Sequence, residues 1–140
     1  MLRADAGDAS DWLLDLLKRR SRSASLTASS EFVRVYGKGS VYRGKLFSVH
    51  VLPNNSVGKP RLGLSVSKKV GTAVKRNRVR RRLKEIFRAS AVGLPDDLDF
   101  VISARPSASE ASFEELRGEF LRSLRKLKKD VAGLENWERS

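Results

Sequence analysis

Residues 61–88 read RLGLSVSKKVGTAVKRNRVRRRLKEIFR, and two hydrophobic periods meet inside them. In RLGLSVS, Leu62, Leu64 and Val66 alternate with Arg61, Gly63, Ser65 and Ser67, the period of a strand with one covered face. KKVGT breaks that period. From Thr72 to Ser90 the apolar residues Val79, Leu83, Ile86 and Phe87 fall on one helical stripe. After the turn GLPDD comes LDFVISAR, residues 98–105, a continuous β-prone run of the kind buried in a sheet. Strand, helix and strand in this order imply a crossover unit.

The same stretch carries an unusual load of charge, with Glu85 as its one acid. A helix over 72–90 is roughly 28 Å long at ~1.5 Å per residue. With Val79 at the middle of the buried side, Arg78, Arg81, Lys84 and Arg88 fall outward, and Arg80 and Arg82 flank the stripe on opposite edges. Like charges at i,i+4 destabilise an isolated helix by a few tenths of a kcal/mol per pair. Docking of the apolar stripe must offset that, and neutralising phosphates is the plain use for it. Arginine outnumbers lysine here, and a guanidinium grips phosphate in bidentate fashion or stacks on a base. Asn77 adds an amide that can read a base edge or a 2′-hydroxyl. Gly63, Ser65 and Ser67 leave one strand face nearly free of side chains, so a nucleic-acid backbone has a close approach there. Lys68, Lys69 and Gly71 extend the positive surface into the loop.

The rest of the chain supplies the frame. SSEFVRVYGKG predicts a short helix with Ser29 or Ser30 as cap and Gly37 or Gly39 as stop. A strand follows at about 45–52, with Phe47, Val49 and Val51 on one face and Leu46, Ser48, His50 and Leu52 on the other; a smaller strand precedes it at Ser40–Tyr42. PNNSVGKP reads as a loop. PSASEASFEELRGEFLRSLRKLKKD is the last helix, with a capping box from Ser112 and Glu115 and a basic end, Arg122 to Lys129, that suits the helix dipole. The expected architecture is a single α+β domain, α-β-β-β-α-β-α, with one small mixed sheet. Residues 1–24 read as an N-terminal extension: DASDWLLDLLKRR as a short amphipathic helix, then the Ser-rich RSRSASLTASS as a flexible linker. Residues 25–130 form the domain and 131–140 a C-terminal tail.

Composition narrows the function. The net charge is +13 in 140 residues, which points to a polyanionic partner. There is no cysteine, so disulfides and thiolate metal sites are excluded, and a single histidine, His50, leaves no His-based metal cluster. WLLDLL at 12–17 is far shorter than the ~20 residues a membrane span needs. A secretory leader would carry its bases before the apolar run, whereas LysArgArg at 18–20 follows it; the expected location is cytoplasmic. No paired carboxylates, metal-ligand cluster, nucleophile–base pair or P-loop spacing is present. Phe47 reads as core. Phe32 and Tyr36 fit core packing or base stacking equally. His50 reads as a strand residue facing solvent or a cleft. The residues describe an RNA- or DNA-binding module, with RNA favoured because a mixed sheet and a stacking-capable cleft suit irregular RNA better than a duplex groove; a structural RNA-binding protein, such as a ribosomal component, is the alternative function.

The stretch 61–88 also resembles a known signature. It follows the pattern R-x-G-x-x-V-S-K-K-x-G-x-A-V-x-R-N-R-x-K-R-x-x-R-E of the bacterial ribonuclease P protein subunit. Arg61, Gly63, Val66, Ser67, Lys68, Lys69, Gly71, Ala73, Val74, Arg76, Asn77, Arg78, Arg81 and Glu85 match it, and Arg80 and Lys84 keep the charge. The resemblance runs over about Leu26–Lys129. It implies a fold like the second domain of ribosomal protein S5, with a left-handed crossover. It also implies a ribonucleoprotein that removes the 5′ leader of precursor tRNA, with the hydrolysis performed by an RNA subunit using Mg²⁺. The implied partners are that RNA subunit and precursor tRNA, with no DNA and no membrane, the protein itself being a monomer. Carried over by position, Phe32, Tyr36, His50, Arg61, Ser65 and Ser67 would line or border the leader cleft. Lys68, Lys69, Arg76, Asn77, Arg78, Arg80, Arg81 and Lys84 would face RNA, and no side chain would be catalytic. Two departures stand out: His50 takes a position where an aromatic such as tyrosine is usual, and Ser25 replaces the usual arginine before Leu26–Thr27, with Arg22 nearby.

Overall fold

A computed structural model describes residues 24–26, 29–53, 59–95 and 97–131. The expected helix near the N-terminus lies outside the described residues, as does nearly all of the C-terminal tail. Five strands, β1 (Ala24–Ser25), β2 (Ser40–Arg43), β3 (Phe47–Pro53), β4 (Arg61–Ser65) and β5 (Leu98–Ala104), form one sheet in the order β1-β4-β5-β3-β2. Among the described residues three α-helices accompany it: α1 (Ser29–Lys38), α2 (Ala73–Ser90) and α3 (Phe113–Leu127). β3 pairs antiparallel with both β2 and β5, while β4 lies parallel to β5 and β1 parallel to β4. The sheet is therefore mixed, and α2 makes the crossover from β4 to β5.

Alternation along the strands sorts the sheet's two faces. Phe47, Val49, Val51, Leu62, Leu98, Phe100 and Ile102 point to one face. The stripes of α2 (Val79, Leu83, Ile86, Phe87) and α3 (Leu116, Phe120, Leu124, Leu127) close over it to form the main core. Phe87 meets Phe100 and Phe120 nearly edge-on, with ring centroids 5.2 and 6.1 Å apart, the arrangement the aromatic quadrupole favours. α1 covers part of the opposite face, where Val35, Val101 and Leu26 form a second, smaller core with Phe32 and Leu52 against it.

The helix ends follow their caps. Thr72 Oγ1 accepts from Lys75 N–H at 3.3 Å at the start of α2. Ser112 and Glu115 make the expected reciprocal box at α3, with bonds of 3.1 and 2.8 Å. α3 begins only at Phe113, because Pro106–Glu110 forms a separate 3₁₀ turn.

The linker reading of RSRSASLTASS is corrected at residues 24–26. Ala24 and Ser25 pair with Arg61 and Leu62, and Leu26 N–H donates to Leu62 O at 2.9 Å. Leu26, one apolar residue in a Ser-rich run, is buried in the smaller core. That burial and three residues of pairing cover the open edge of β4.

Candidate nucleic-acid interface

On the α1 face, the strand register lines up three rows of side chains. Leu52, Asp99 and Arg61 form one, His50, Val101 and Gly63 the next, and Ser48, Ser103 and Ser65 the third. α1 sits over the first two. The ring of Phe32 rests on Gly63, where a Cβ would stand 2.6 Å from Phe32 Cζ. Only glycine permits that approach. The open approach expected over Gly63 is thus filled by Phe32, which is half-buried against the smaller core, as its core-packing reading expects.

The first row is a charge lock. Asp99 has no exposed surface and accepts from Arg34 Nη2 at 2.6 Å and from Arg61 Nε and Nη2 at 2.8 Å each. Arg61 Nη1 also donates to Glu31 at 2.8 Å. The Asp99 hydrogen bonds raise the Arg61 pKa further above its ordinary value, against the opposing effect of burial. Arg61, expected to border the leader cleft, has its charge neutralised by Asp99 and Glu31 and so fastens α1 to the sheet. Asp99 and Arg34 escaped sequence reasoning. The signal for Asp99 is a lone acid inside the apolar run LDFVISA.

Tyr36 and His50 make the wall of the groove. Tyr36 is 40% exposed, and its ring meets His50 edge-on at 4.7 Å. His50 Nδ1 is buried without a hydrogen-bond partner in the described residues. Burial lowers the His50 pKa below its ordinary value, the main chain of Val101 opposes this, and the charge of Arg43 adds to it. The imidazole is therefore held toward its neutral form, presenting an aromatic edge and a nitrogen without added charge. The third row offers the hydroxyls of Ser48, Ser103 and Ser65, with exposed Arg43 beside Ser48 on β2. Past Ser65, exposed Ser67, Lys68 and Lys69 carry the surface around the end of the sheet; Ser67 Oγ accepts from Lys69 N–H at 3.3 Å.

The basic residues of α2 divide by position. Arg76 Nε donates to Gly71 O at 3.2 Å, Arg80 Nη2 to Val66 O at 3.4 Å, and Arg82 Nη1 to Ala111 O at 3.0 Å. Arg80 and Arg82 thus reach opposite sides of the helix, as the periodicity predicts, and each ties α2 to a neighbouring segment. Asn77 Oδ1 accepts from Arg80 Nη1 at 3.3 Å, which orients the exposed Asn77 amide. Arg78, Arg81, Lys84 and Arg88 form the outer ridge, with Arg78 half-buried and the others exposed. Val74, one of the residues of the matched signature, heads that ridge at 71% exposure.

Among the described residues no three of His, Cys, Asp and Glu come together as a metal site. The groove carboxylates Asp99 and Glu31 are engaged by arginines. The donor set does not fit Mg²⁺, and no step through that ion is assigned to this chain. No helix among the described residues is long and apolar enough to cross a membrane.

The sequence model of the family described as Ribonuclease P matches residues 21–128. The chain is 38% identical over 101 residues to the ribonuclease P protein component of Bacillus pumilus, covering 72% of this chain and 82% of that protein. It is 41% identical over 98 residues to the component of Shouchella clausii, covering 70% of this chain and 80% of that protein. Its structure is similar to the RNase P protein of Staphylococcus aureus, with a TM-score of 0.69 and 29% identity over 74% of this chain and 94% of that one. The RNase P protein of Thermotoga maritima gives 0.63 and 28% over 70% and 92%.

Proposed function

The chain belongs to the ribonuclease P protein family, and from that premise we propose that it holds precursor tRNA for a catalytic RNA subunit. In this reading the protein binds the RNA subunit through the outer ridge of α2 and the 5′ leader through the groove beside α1. The RNA subunit, with Mg²⁺, cleaves the leader endonucleolytically to leave the mature 5′ end. The observation that carries the reading is the division of the surface into two chemistries. The α2 ridge is cationic and long enough to track a phosphate backbone. The groove has an aromatic wall, Tyr36 and His50, and a row of hydroxyls, with little free charge. That second surface suits an unpaired strand, whose bases stack and whose sugars offer 2′-hydroxyls. The two meet at Ser67, Lys68 and Lys69.

The test is reconstitution of the full chain with a ribonuclease P RNA and a precursor tRNA at low Mg²⁺. The expected result is faster 5′ maturation than with RNA alone. Binding to the RNA subunit should weaken with salt at a log–log slope near −3 to −5, for about four to six neutralised phosphates. RNA binding without any stimulation of cleavage would leave a structural RNA-binding role in its place.

A further inference from the structure

α3 carries a second cationic surface that neither the groove nor the α2 ridge includes. Arg122, Arg125, Lys126 and Lys129 line a shallow depression of about 340 Å³ at its C-terminal end. They stand at i, i+3, i+4 and i+7, so they share one side of the helix. At 100° per residue, Arg122 and Arg125 lie roughly opposite the buried stripe of Leu116, Phe120, Leu124 and Leu127, and Lys129 follows in the turn just past the helix end. Arg122 and Lys126 lie on the side of Glu119, which is 3% exposed and accepts from Leu46 N–H at 3.1 Å at the start of β3.

The charge is more than a solvated helix end requires. One or two cations suffice to complement a helix C-terminus, at ~0.3–1 kcal/mol each. Here Arg122, Arg125, Lys126, Lys128 and Lys129 follow one another with Asp130 as the one acid in residues 120–131. Glu119 Oε1 accepts from Arg122 Nη2 at 3.1 Å, which orients that guanidinium. No ion pair within the described residues engages Lys126 or Lys129. The N-terminal half of the same helix is of mixed charge: Glu114 and Glu115 line the neighbouring depression together with Lys45, Glu119 and Arg122. The uniformly cationic surface is therefore confined to the C-terminal end of α3.

Position selects the occupant. α2 packs over β4 and α3 over β2, the opposite edge of the sheet. Those strands stand roughly 14 Å apart at ~4.8 Å per strand. The leader groove lies on the other face of the sheet altogether. A single-stranded leader in that groove does not reach α3, whereas a large folded RNA gripping α2 can extend beside it. We propose that Arg122, Arg125, Lys126 and Lys129 dock the phosphate backbone of the RNA subunit at a second point, separate from α2. Four residues span about 10 Å of helix, enough for two or three phosphates. Two points of attachment fix the orientation of the protein on the RNA as well as its affinity. The inference rests on the proposed function.

The experiment measures affinity of the full chain for a ribonuclease P RNA across a KCl series, for wild type, Lys126→Glu/Lys129→Glu, Lys126→Ala/Lys129→Ala and Arg78→Ala. Each lost contact is worth up to about eightfold at 0.1 M salt. The alanine pair should weaken binding roughly ten- to sixtyfold and make the salt slope shallower by about 1.8; the glutamate pair should weaken it more. The ratio of precursor to mature tRNA affinity in the assembled holoenzyme should stay at the wild-type value. If Arg78→Ala weakens binding while both pairs retain wild-type affinity and slope, the second docking point is wrong and the proposed function stands. If the pairs weaken only tRNA binding by the holoenzyme, the patch serves the substrate and the inference fails. If the wild-type chain does not bind the RNA at all, the proposed function falls and the inference with it.

Discussion

Asp99→Ala removes the carboxylate that holds α1 to the sheet. In the native protein three charge-assisted hydrogen bonds of 2.6 to 2.8 Å converge on this fully buried group. Truncating one partner of a buried ion pair costs about 3–5 kcal/mol, because the remaining charges lose their compensation. The lower part of that range applies. Arg34, at 36% side-chain exposure, can turn to water, and Arg61 keeps Glu31. A loss of about 3 kcal/mol lowers the melting temperature of a domain this size by roughly 12–24 °C. Thermal unfolding followed by circular dichroism at pH 7 measures it. A double-mutant cycle with Arg61→Met should give a coupling above about 1 kcal/mol. The functional consequence is selective: with α1 loosened, preference for precursor over mature tRNA should fall, while affinity for the RNA subunit at α2 should stay within about twofold. A variant that melts within about 4 °C of wild type, or strict additivity with Arg61→Met, would refute the view that Asp99 fastens the groove.

Two further outcomes follow from the groove. His50 has a folded pKa below its unfolded value, so between the two the unfolded chain binds more protons and stability rises with pH. The His50 contribution is therefore complete above about pH 6.5 and is lost as pH falls through the lowered folded pKa. His50→Phe should flatten that part of the stability–pH profile measured by urea denaturation, and an unchanged profile would show that His50 is not the group responsible. Phe32→Ala should weaken precursor tRNA binding more than mature tRNA binding, with a stability loss of about 2–3 kcal/mol because the ring is only half-buried; equal weakening of both tRNAs would make Phe32 a structural residue alone.

Much of this protein is legible in residues 61–88 alone. The change of period from two to helical located β4 and α2, and the outward registration of Arg78, Arg81 and Lys84 held because helical spacing is a local property. The Ser112–Glu115 box marked the start of α3 for the same reason. What failed were readings that depend on distant neighbours. Gly63 looked like open ground until Phe32, far away in the chain, was brought onto it. Arg61 looked like a cation offered to a ligand until Asp99 arrived from β5. Leu26 looked like part of a linker until β4 supplied an edge and α1 a small core. Sequence alone determined that the chain is a sheet-and-helix nucleic-acid binder with its charge mounted on α2, because period and charge are carried by residues near one another. Tertiary structure alone decided which charges remain for a ligand: a guanidinium is spent or available according to what folds against it.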